Sequence, residues 1–191
     1  GCFDWLPDST GLVVVTKANG LQQMSLNGEL RPVLALVGRS ISGPVVSPDG
    51  SAVAVVIDQA EIMVVDLASG SARRVDDGSY EFVLDPVWFQ GAPVWQAWNS
   101  PNMPWDHSVI MSTNGVVSDN NCQHQQPRSD ALGNQLAWLD DSSDWLNVAT
   151  QSGVRANETF EHGTPTWGDG QRSWCFNSDG TRIAFVRNED G

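Results

Sequence analysis

Ser47-Pro48-Asp49-Gly50, followed closely by the apolar stretch Val53-Ala54-Val55-Val56-Ile57, is the segment that decides the fold. An Asp-Gly pair favours a tight turn between strands, and a run rich in β-branched residues is typical of a buried strand. Similar pairs of turn and strand recur along the chain, and their first apolar residues are Leu12, Val53, Val94, Leu136 and Ile183. These positions are 41, 41, 42 and 47 residues apart, which indicates a structural repeat of about 41 residues.

Each repeat contains further short apolar stretches on both sides of this strand. In the second copy, residues 43–46 precede the Asp-Gly turn, and residues 62–67 follow the strand, with a Ser69-Gly70 turn after them. Four short strands in about 40 residues are typical of a β-propeller blade. The sequence therefore predicts an all-β chain, a β-propeller of four-stranded antiparallel blades with about four blades plus part of a fifth. Residues 1–191 form one partial propeller domain in this interpretation.

Tryptophan is unusually frequent, with nine residues against a single Tyr. Large flat side chains suit the wedge between neighbouring blades, where they bury much apolar surface. Core positions between blades are therefore predicted for the tryptophans that lie in or beside expected strands: Trp88, Trp95, Trp98, Trp138, Trp167 and Trp174.

Charge and composition exclude several classes of function. Ten Lys and Arg against 23 Asp and Glu give a net charge of −13, and Lys17 is the single lysine. Such a surface is a poor partner for nucleic acid or an anionic membrane. No apolar run approaches the roughly 18 residues that span a bilayer. The three cysteines form no Cys-x-x-Cys pair, and no targeting segment is visible, so we expect a cytoplasmic protein whose N-terminus is missing here.

Several stretches resemble a known family. Ser178-Asp179-Gly180 and the strand after it resemble the repeat shared by TolB-like propellers and the propellers of prolyl oligopeptidase-type serine peptidases. Residues 94–106 look like the Trp-x-x-Trp-Asp-His-Pro-Asn-Met-Pro-Trp-Asp stretch of the acylaminoacyl-peptidase and dipeptidyl-peptidase branch, with Asn99 and Ser100 replacing its Asp and His. Later segments are similar to elements of the following blades in that family: 126–128, 144–147 and 165–173.

The resemblance implies the non-catalytic propeller of a two-domain serine peptidase. Its partners would be short peptides, bound through the parent enzyme, and a C-terminal α/β-hydrolase domain that would hold the Ser-Asp-His triad outside these residues. The propeller would gate and position the peptides. The alternative is a stand-alone TolB-like propeller that acts as a protein-interaction module.

No residue of the chain itself is expected to catalyse a reaction. A hydrolase nucleophile needs Gly-x-Ser-x-Gly, and the nearest string, at residues 38–42, lacks the second Gly. Cys122-Gln123-His124 is the single place where Cys and His lie close together, and we interpret it as a polar loop. The carboxylates of Asp140, Asp141 and Asp144 are interpreted as a solvated hairpin tip. No cofactor and no metal are expected.

The stretch at residues 99–106 is the best candidate for function, because two prolines and a Trp that we expect to be exposed interrupt the repeat there. We expect Asn102, Trp105 and Asp106 to face the substrate passage or the hydrolase domain. The alternative is a loop that only decorates its blade. Arg172 is a further candidate for the same surface.

Overall fold

Eighteen β-strands form the secondary structure of the computed structural model, which describes residues 2–118, 122–155 and 157–189. No helix lies within those ranges. The strands form four four-stranded sheets and one two-stranded sheet, and every pairing within them is antiparallel. In each sheet the strands lie side by side in chain order. This is the predicted propeller of four blades and part of a fifth.

We number the sheets 1 to 5 along the chain. Sheet 1 consists of β1 (Phe3–Trp5), β2 (Gly11–Thr16), β3 (Gly20–Ser25) and β4 (Leu30–Leu34). Sheet 2 consists of β5 (Ile41–Val46), β6 (Ala52–Ile57), β7 (Glu61–Asp66) and β8 (Ala72–Arg74). Sheet 3 consists of β9 (Phe82–Phe89), β10 (Ala92–Trp98), β11 (Val109–Ser112) and β12 (Gly115–Val116). Sheet 4 consists of β13 (His124–Ser129), β14 (Leu136–Asp140), β15 (Asn147–Thr150) and β16 (Gly153–Val154). Sheet 5 consists of β17 (Trp174–Phe176) and β18 (Ile183–Phe185).

The repeated apolar strands occupy the predicted, equivalent positions. They are the second strands of the five sheets, β2, β6, β10, β14 and β18, and each follows its turn. The strand β6 is the most buried of them, since its residues 53–57 have no exposed surface. The spacing of about 41 residues is therefore the spacing between neighbouring blades.

The core consists of clusters that lie between successive sheets. Val13 of sheet 1 packs in one cluster with Val55 of sheet 2, and Ile62 of sheet 2 packs in another with Trp95 of sheet 3. Sheets 3 and 4 share a cluster that includes Trp138, and Trp174 joins sheet 5 to sheet 4. Successive sheets thus bury their facing sides against each other, as the blades of a propeller do.

The prediction for the tryptophans is correct for five of the six residues. Trp167 is the exception, since 75% of its side chain is exposed. It lies on the segment that leads into β17 and belongs to no strand. The other five are buried: Trp88, Trp95, Trp98, Trp138 and Trp174.

The first strands of sheets 2, 3 and 4 share a bulge of the same kind. Gly43, Asp85 and Gln126 have φ values of 53°, 50° and 51°, and each is followed by Pro. The register with the neighbouring strand shifts near each of them. A bulge redirects side chains, and Pro fits a strand edge that donates no ladder hydrogen bond. These strands therefore present irregular, polar positions on their free edges.

Within the residues that the structure describes, no helix is long and apolar enough to cross a bilayer.

Candidate functional site

The first strands converge on a central cavity of about 160 Å³, which we call the axial cavity. Its walls come from the first strands of sheets 1 to 4, β1, β5, β9 and β13, and from the residues just before β17. Four charged residues line it: Asp4, Asp85, Arg128 and Arg172. Asp85 is the bulge residue of β9, and Arg128 lies two residues after the bulge residue Gln126 of β13.

Asp85 and Arg128 form a buried ion pair. The Arg128 Nη2 atom lies 3.6 Å from Asp85 Oδ2, and both side chains are almost fully buried. Burial disfavours the charged guanidinium and lowers the pKa of Arg128, against the opposing effect of the Asp85 carboxylate. Arg128 also donates hydrogen bonds to the carbonyl oxygens of Pro127 and Gln171. The guanidinium is thus held between the axis and the chain segment that approaches β17.

That segment, residues 164–172, crosses the axis, and we call it the crossing segment. It leads from sheet 4 to sheet 5, yet its Asp169 contacts sheets 2 and 3 on the far side. Asp169 accepts hydrogen bonds from the Ser42 hydroxyl at 2.5 Å and the Asp85 N–H at 3.0 Å. In return, the Gly170 N–H donates to Asp85 Oδ1 at 2.7 Å. Burial raises the pKa of Asp169, the hydrogen bonds from Ser42 and the Asp85 N–H oppose this rise, and the Asp85 carboxylate adds to it.

Two adjacent glutamines of β13 hold the ends of the crossing segment. Gln125 donates to the Thr164 carbonyl at 3.1 Å and accepts from the Thr166 N–H at 2.9 Å. Gln126 accepts from the Ser173 N–H at 2.9 Å. Both glutamine side chains are fully buried. The segment between these anchors is therefore fixed by buried polar contacts rather than by an apolar core.

Asp4 supplies a further carboxylate on the opposite wall of the axial cavity. Its Oδ2 accepts a hydrogen bond from the Val46 N–H at 2.8 Å. Burial raises the pKa of Asp4, whereas that hydrogen bond and the charge of Arg172 lower it. The cavity therefore combines carboxylates and guanidiniums in a partly dehydrated space, where charges interact more strongly than in water.

A second cavity of about 260 Å³ lies beside the crossing segment, and we call it the aromatic pocket. Phe82 and Trp98 are stacked, with ring centroids 5.2 Å apart, and Trp105 contacts Trp167 at 4.6 Å. All four rings line the pocket, together with residues 100–104 of the β10–β11 loop. The exposed Trp167 therefore lies in the wall of the aromatic pocket, on the crossing segment, and not in the core.

The structure places the predicted site residues in three different environments. Asn102 and Trp105 line the aromatic pocket, and Arg172 lines the axial cavity. Asp106 is exposed and lies outside both, and its carboxylate accepts a hydrogen bond from the Met103 N–H within its own loop. A substrate contact or an interdomain contact for these four residues stays a prediction.

Sequence reasoning missed Asp85, Arg128 and Asp169, and it misplaced Trp167. One local signal was present. Gly43-Pro44, Asp85-Pro86 and Gln126-Pro127 stand 42 and 41 residues apart, in the same repeat as the strands. This pattern predicts a bulge on the first strand of each of these blades, and it thereby indicates which residues line the axis.

Two polar positions of sheet 4 differ from the sequence-based interpretation. His124 is the first residue of β13 and is fully buried, so it belongs to no polar loop. Asp140 is the last residue of β14 and is 3% exposed, so it is not solvated at a hairpin tip. Strand register pairs these two residues directly. Nearby, burial raises the pKa of the Cys122 thiol to about 12, and Asp140 and Asp141 add to this effect.

Comparison with solved structures confirms the propeller fold. A crystal structure of puromycin hydrolase matches with a TM-score of 0.72 and 20% identity, over 93% of this chain and 33% of that one. An oligogalacturonate lyase from Vibrio parahaemolyticus matches with a TM-score of 0.68 and 13% identity, over 98% and 58% of the two chains. A putative TolB from Agrobacterium tumefaciens matches with a TM-score of 0.56 and 16% identity, over 73% and 53%.

At these identities the similarity shows a shared fold. A TolB propeller is among the structures that share it, as the sequence predicted. The chain spans about a third of the length of the puromycin hydrolase and little more than half of the other two. No protein-family model matches the chain, and no curated protein matches it.

Proposed function

We propose that this chain is the non-catalytic propeller of a prolyl oligopeptidase-type serine peptidase, and that it admits short peptides and positions them for a C-terminal α/β-hydrolase domain. One observation carries the proposal: the crossing segment forms part of both the aromatic pocket and the axial cavity. A single short segment therefore controls the shape of an apolar site and of a charged site at once. The resemblance of residues 94–106 to the family's stretch, and the fold shared with a puromycin hydrolase, support the same assignment.

The aromatic pocket suits one apolar side chain of a peptide. Its volume of about 260 Å³ is below the roughly 300–1,000 Å³ of pockets that enclose a whole small ligand. Its rings offer flat apolar surface, and the exposed Asn102 adds an amide to the lining. A peptide that buries one aromatic or large aliphatic side chain there keeps its main chain outside, beside the crossing segment.

The axial cavity suits the charged end of such a peptide. Carboxylates from Asp4 and Asp85 and guanidiniums from Arg128 and Arg172 line a space of about 160 Å³. A peptide carries an ammonium group at one end and a carboxylate at the other, and whichever end enters the cavity meets an opposite charge. In a partly dehydrated space these contacts fix orientation as well as affinity. Long folded chains cannot enter a cavity of this size.

The chemistry itself is assigned to another domain. The chain contains no Gly-x-Ser-x-Gly string, and such a string is what the nucleophile of an α/β-hydrolase requires. Positioning at a distance still contributes to the rate, because correct orientation of the reacting groups lowers the barrier.

Binding of short peptides by the 191-residue chain tests this proposal. A tripeptide with a central phenylalanine should change the tryptophan fluorescence in a saturable manner. Trp105→Ala should weaken binding about tenfold or more, because an aromatic contact contributes about 1 kcal/mol beyond the area it buries and each 1.4 kcal/mol is a factor of ten. The matched control is Trp145→Ala, a surface tryptophan outside both cavities. Equal affinity for both variants would show that the aromatic pocket is not the peptide site.

The alternative function is a stand-alone TolB-like propeller that binds other proteins. The match to a putative TolB supports it through the fold. The coding sequence after Gly191 distinguishes the two functions. A Gly-x-Ser-x-Gly string within alternating strands and helices would establish the peptidase, and a stop codon after further blades would establish the binding module.

A further inference from the structure

Three different metal-binding side chains meet at the junction of sheets 3 and 4. The Sγ atom of Cys122 lies 3.6 Å from Nε2 of His124, and that nitrogen lies 3.1 Å from Oδ2 of Asp140. All three donor atoms lie within 4.8 Å of one another. The three residues are brought together by strand register, since His124 begins β13 and Asp140 ends the neighbouring β14. We call them the Cys-His-Asp cluster.

The hydrogen bonds of His124 show which of its ring nitrogens is available. Nδ1 lies 2.8 Å from the carbonyl oxygen of Ser108, and since a carbonyl can only accept, Nδ1 carries a proton. In the neutral ring, Nε2 then has a lone pair and faces a carboxylate oxygen at 3.1 Å. Two acceptors at this distance repel each other unless a proton or a cation lies between them. A metal ion bound to both atoms removes this repulsion.

We propose that the Cys-His-Asp cluster binds a Zn²⁺ ion. Zinc bonds of about 2.3 Å to sulfur and about 2.0–2.2 Å to nitrogen and oxygen place the donors of a tetrahedral site about 3.3–3.6 Å apart. The observed separations of 3.6 and 3.1 Å are close to this, and the sulfur and the carboxylate oxygen lie within 4.8 Å of each other. On binding, the Cys122 thiol gives its proton to solvent and forms the Zn–S bond. The thiolate and the Asp140 carboxylate then balance the two charges of the ion.

The surroundings of the Cys-His-Asp cluster resemble the outer shell of protein zinc sites. Such sites orient each histidine through a hydrogen bond from its other nitrogen, as Ser108 does here. The second carboxylate oxygen of Asp140 is also engaged, because it accepts from the Ser142 N–H at 2.8 Å. His124 and Asp140 are 0% and 3% exposed, so their donor atoms keep little competing water.

A cavity of about 180 Å³ adjoins the Cys-His-Asp cluster and provides space for a fourth ligand. His124 and Asp140 both line it, and so does Trp138. The indole N–H of Trp138 is buried and has no hydrogen-bond partner among the residues that the structure describes. A water molecule on the metal would bring an acceptor into this cavity. Three protein ligands plus water complete the four-coordinate site that zinc prefers.

The place of Cys122 indicates what the ion does. Cys122 lies on the connection between β12 and β13, whereas Asp140 lies within sheet 4. A bound ion ties this connection to the sheet. Metal binding should therefore stabilise the chain as well as occupy the site.

Zinc titration of the chelator-treated 191-residue chain tests the proposal. In competition with a chromophoric chelator, the wild-type chain should bind one Zn²⁺ and melt at a higher temperature with it. Co²⁺ in its place should give the absorption band of a thiolate-cobalt bond. Cys122→Ser should weaken Zn²⁺ binding by at least about 100-fold, the upper end of what loss of an outer-shell partner causes, and should remove the band. Cys175→Ser, at an exposed cysteine elsewhere, should change neither.

Asp140→Asn provides a second variant at a different ligand, and it should also weaken Zn²⁺ binding. Asp140 is buried, so its replacement also affects the stability of the metal-free chain. Cys122→Ser is therefore the decisive variant, because Cys122 is partly exposed and its replacement should leave the melting temperature of the metal-free chain unchanged. Absence of stoichiometric Zn²⁺ binding by the wild-type chain would overturn the proposal. Equal Zn²⁺ affinity of the wild-type chain and Cys122→Ser would also overturn it.

Discussion

Replacing Val55 with Asp is expected to unfold the chain. Val55 lies in the middle of β6, has no exposed surface, and packs in the cluster between sheets 1 and 2 with Val13 and Leu21. A carboxylate there has no partner and no water, and burial of an unpaired charge is among the few changes that cost more than about 4 kcal/mol. Single domains are usually stable by only about 5–15 kcal/mol.

Urea denaturation followed by tryptophan fluorescence measures this effect. The matched control is Val37→Asp, because Val37 is fully exposed on the connection between sheets 1 and 2. The control should unfold at the midpoint of the wild-type chain, and Val55→Asp should show no cooperative transition or a much lower midpoint. A shared midpoint for both variants would contradict the position of β6 between two sheets.

Loss of Arg128 is expected to have the second largest effect on stability. Arg128→Met leaves the Asp85 carboxylate buried and removes the donor to the carbonyl oxygens of Pro127 and Gln171. Removing one partner of a buried ion pair typically costs about 3–5 kcal/mol. Arg155→Met is the control, since Arg155 is exposed, and surface changes usually stay within about 0.5 kcal/mol.

A double variant separates the charge effect from the loss of packing. Adding Asp85→Asn to Arg128→Met removes the uncompensated charge, and Asn tolerates the positive φ of 50° at this position. We expect the double variant to regain much of the stability that Arg128→Met loses, in equilibrium urea unfolding of all four chains. If Arg128→Met is as stable as Arg155→Met, the ion pair does not hold the crossing segment.

The fold was predictable because its signals are local. An Asp-Gly turn followed by β-branched residues specifies a hairpin and a buried strand within about ten residues, and repetition of that unit reveals the number of blades. The β10–β11 loop was also recognisable, because Pro101, Pro104 and Trp105 interrupt the repeat. Both predictions used residues that are close together in the sequence.

The axial site was not predictable from such signals. Asp85 lies 43 residues from Arg128 and 84 from Asp169, and the three meet only when the sheets close around an axis. Trp167 was assigned to the core because short patterns do not distinguish a strand from a segment that crosses between sheets. The contact between His124 and Asp140 depends on strand register, and a register shift of one residue would abolish that contact.

Peptide hydrolysis by the full product of the gene tests the central claim most directly. The claim is that the aromatic pocket and the crossing segment position short peptides for a catalytic domain. With a short chromogenic peptide as substrate, Trp105→Ala should lower kcat/KM about 100-fold, because a small misplacement far from the reacting atoms has effects of this size. The control variant Trp145→Ala should match the wild-type protein. Equal kcat/KM for Trp105→Ala and Trp145→Ala, or no peptide hydrolysis by the full gene product, would contradict the account.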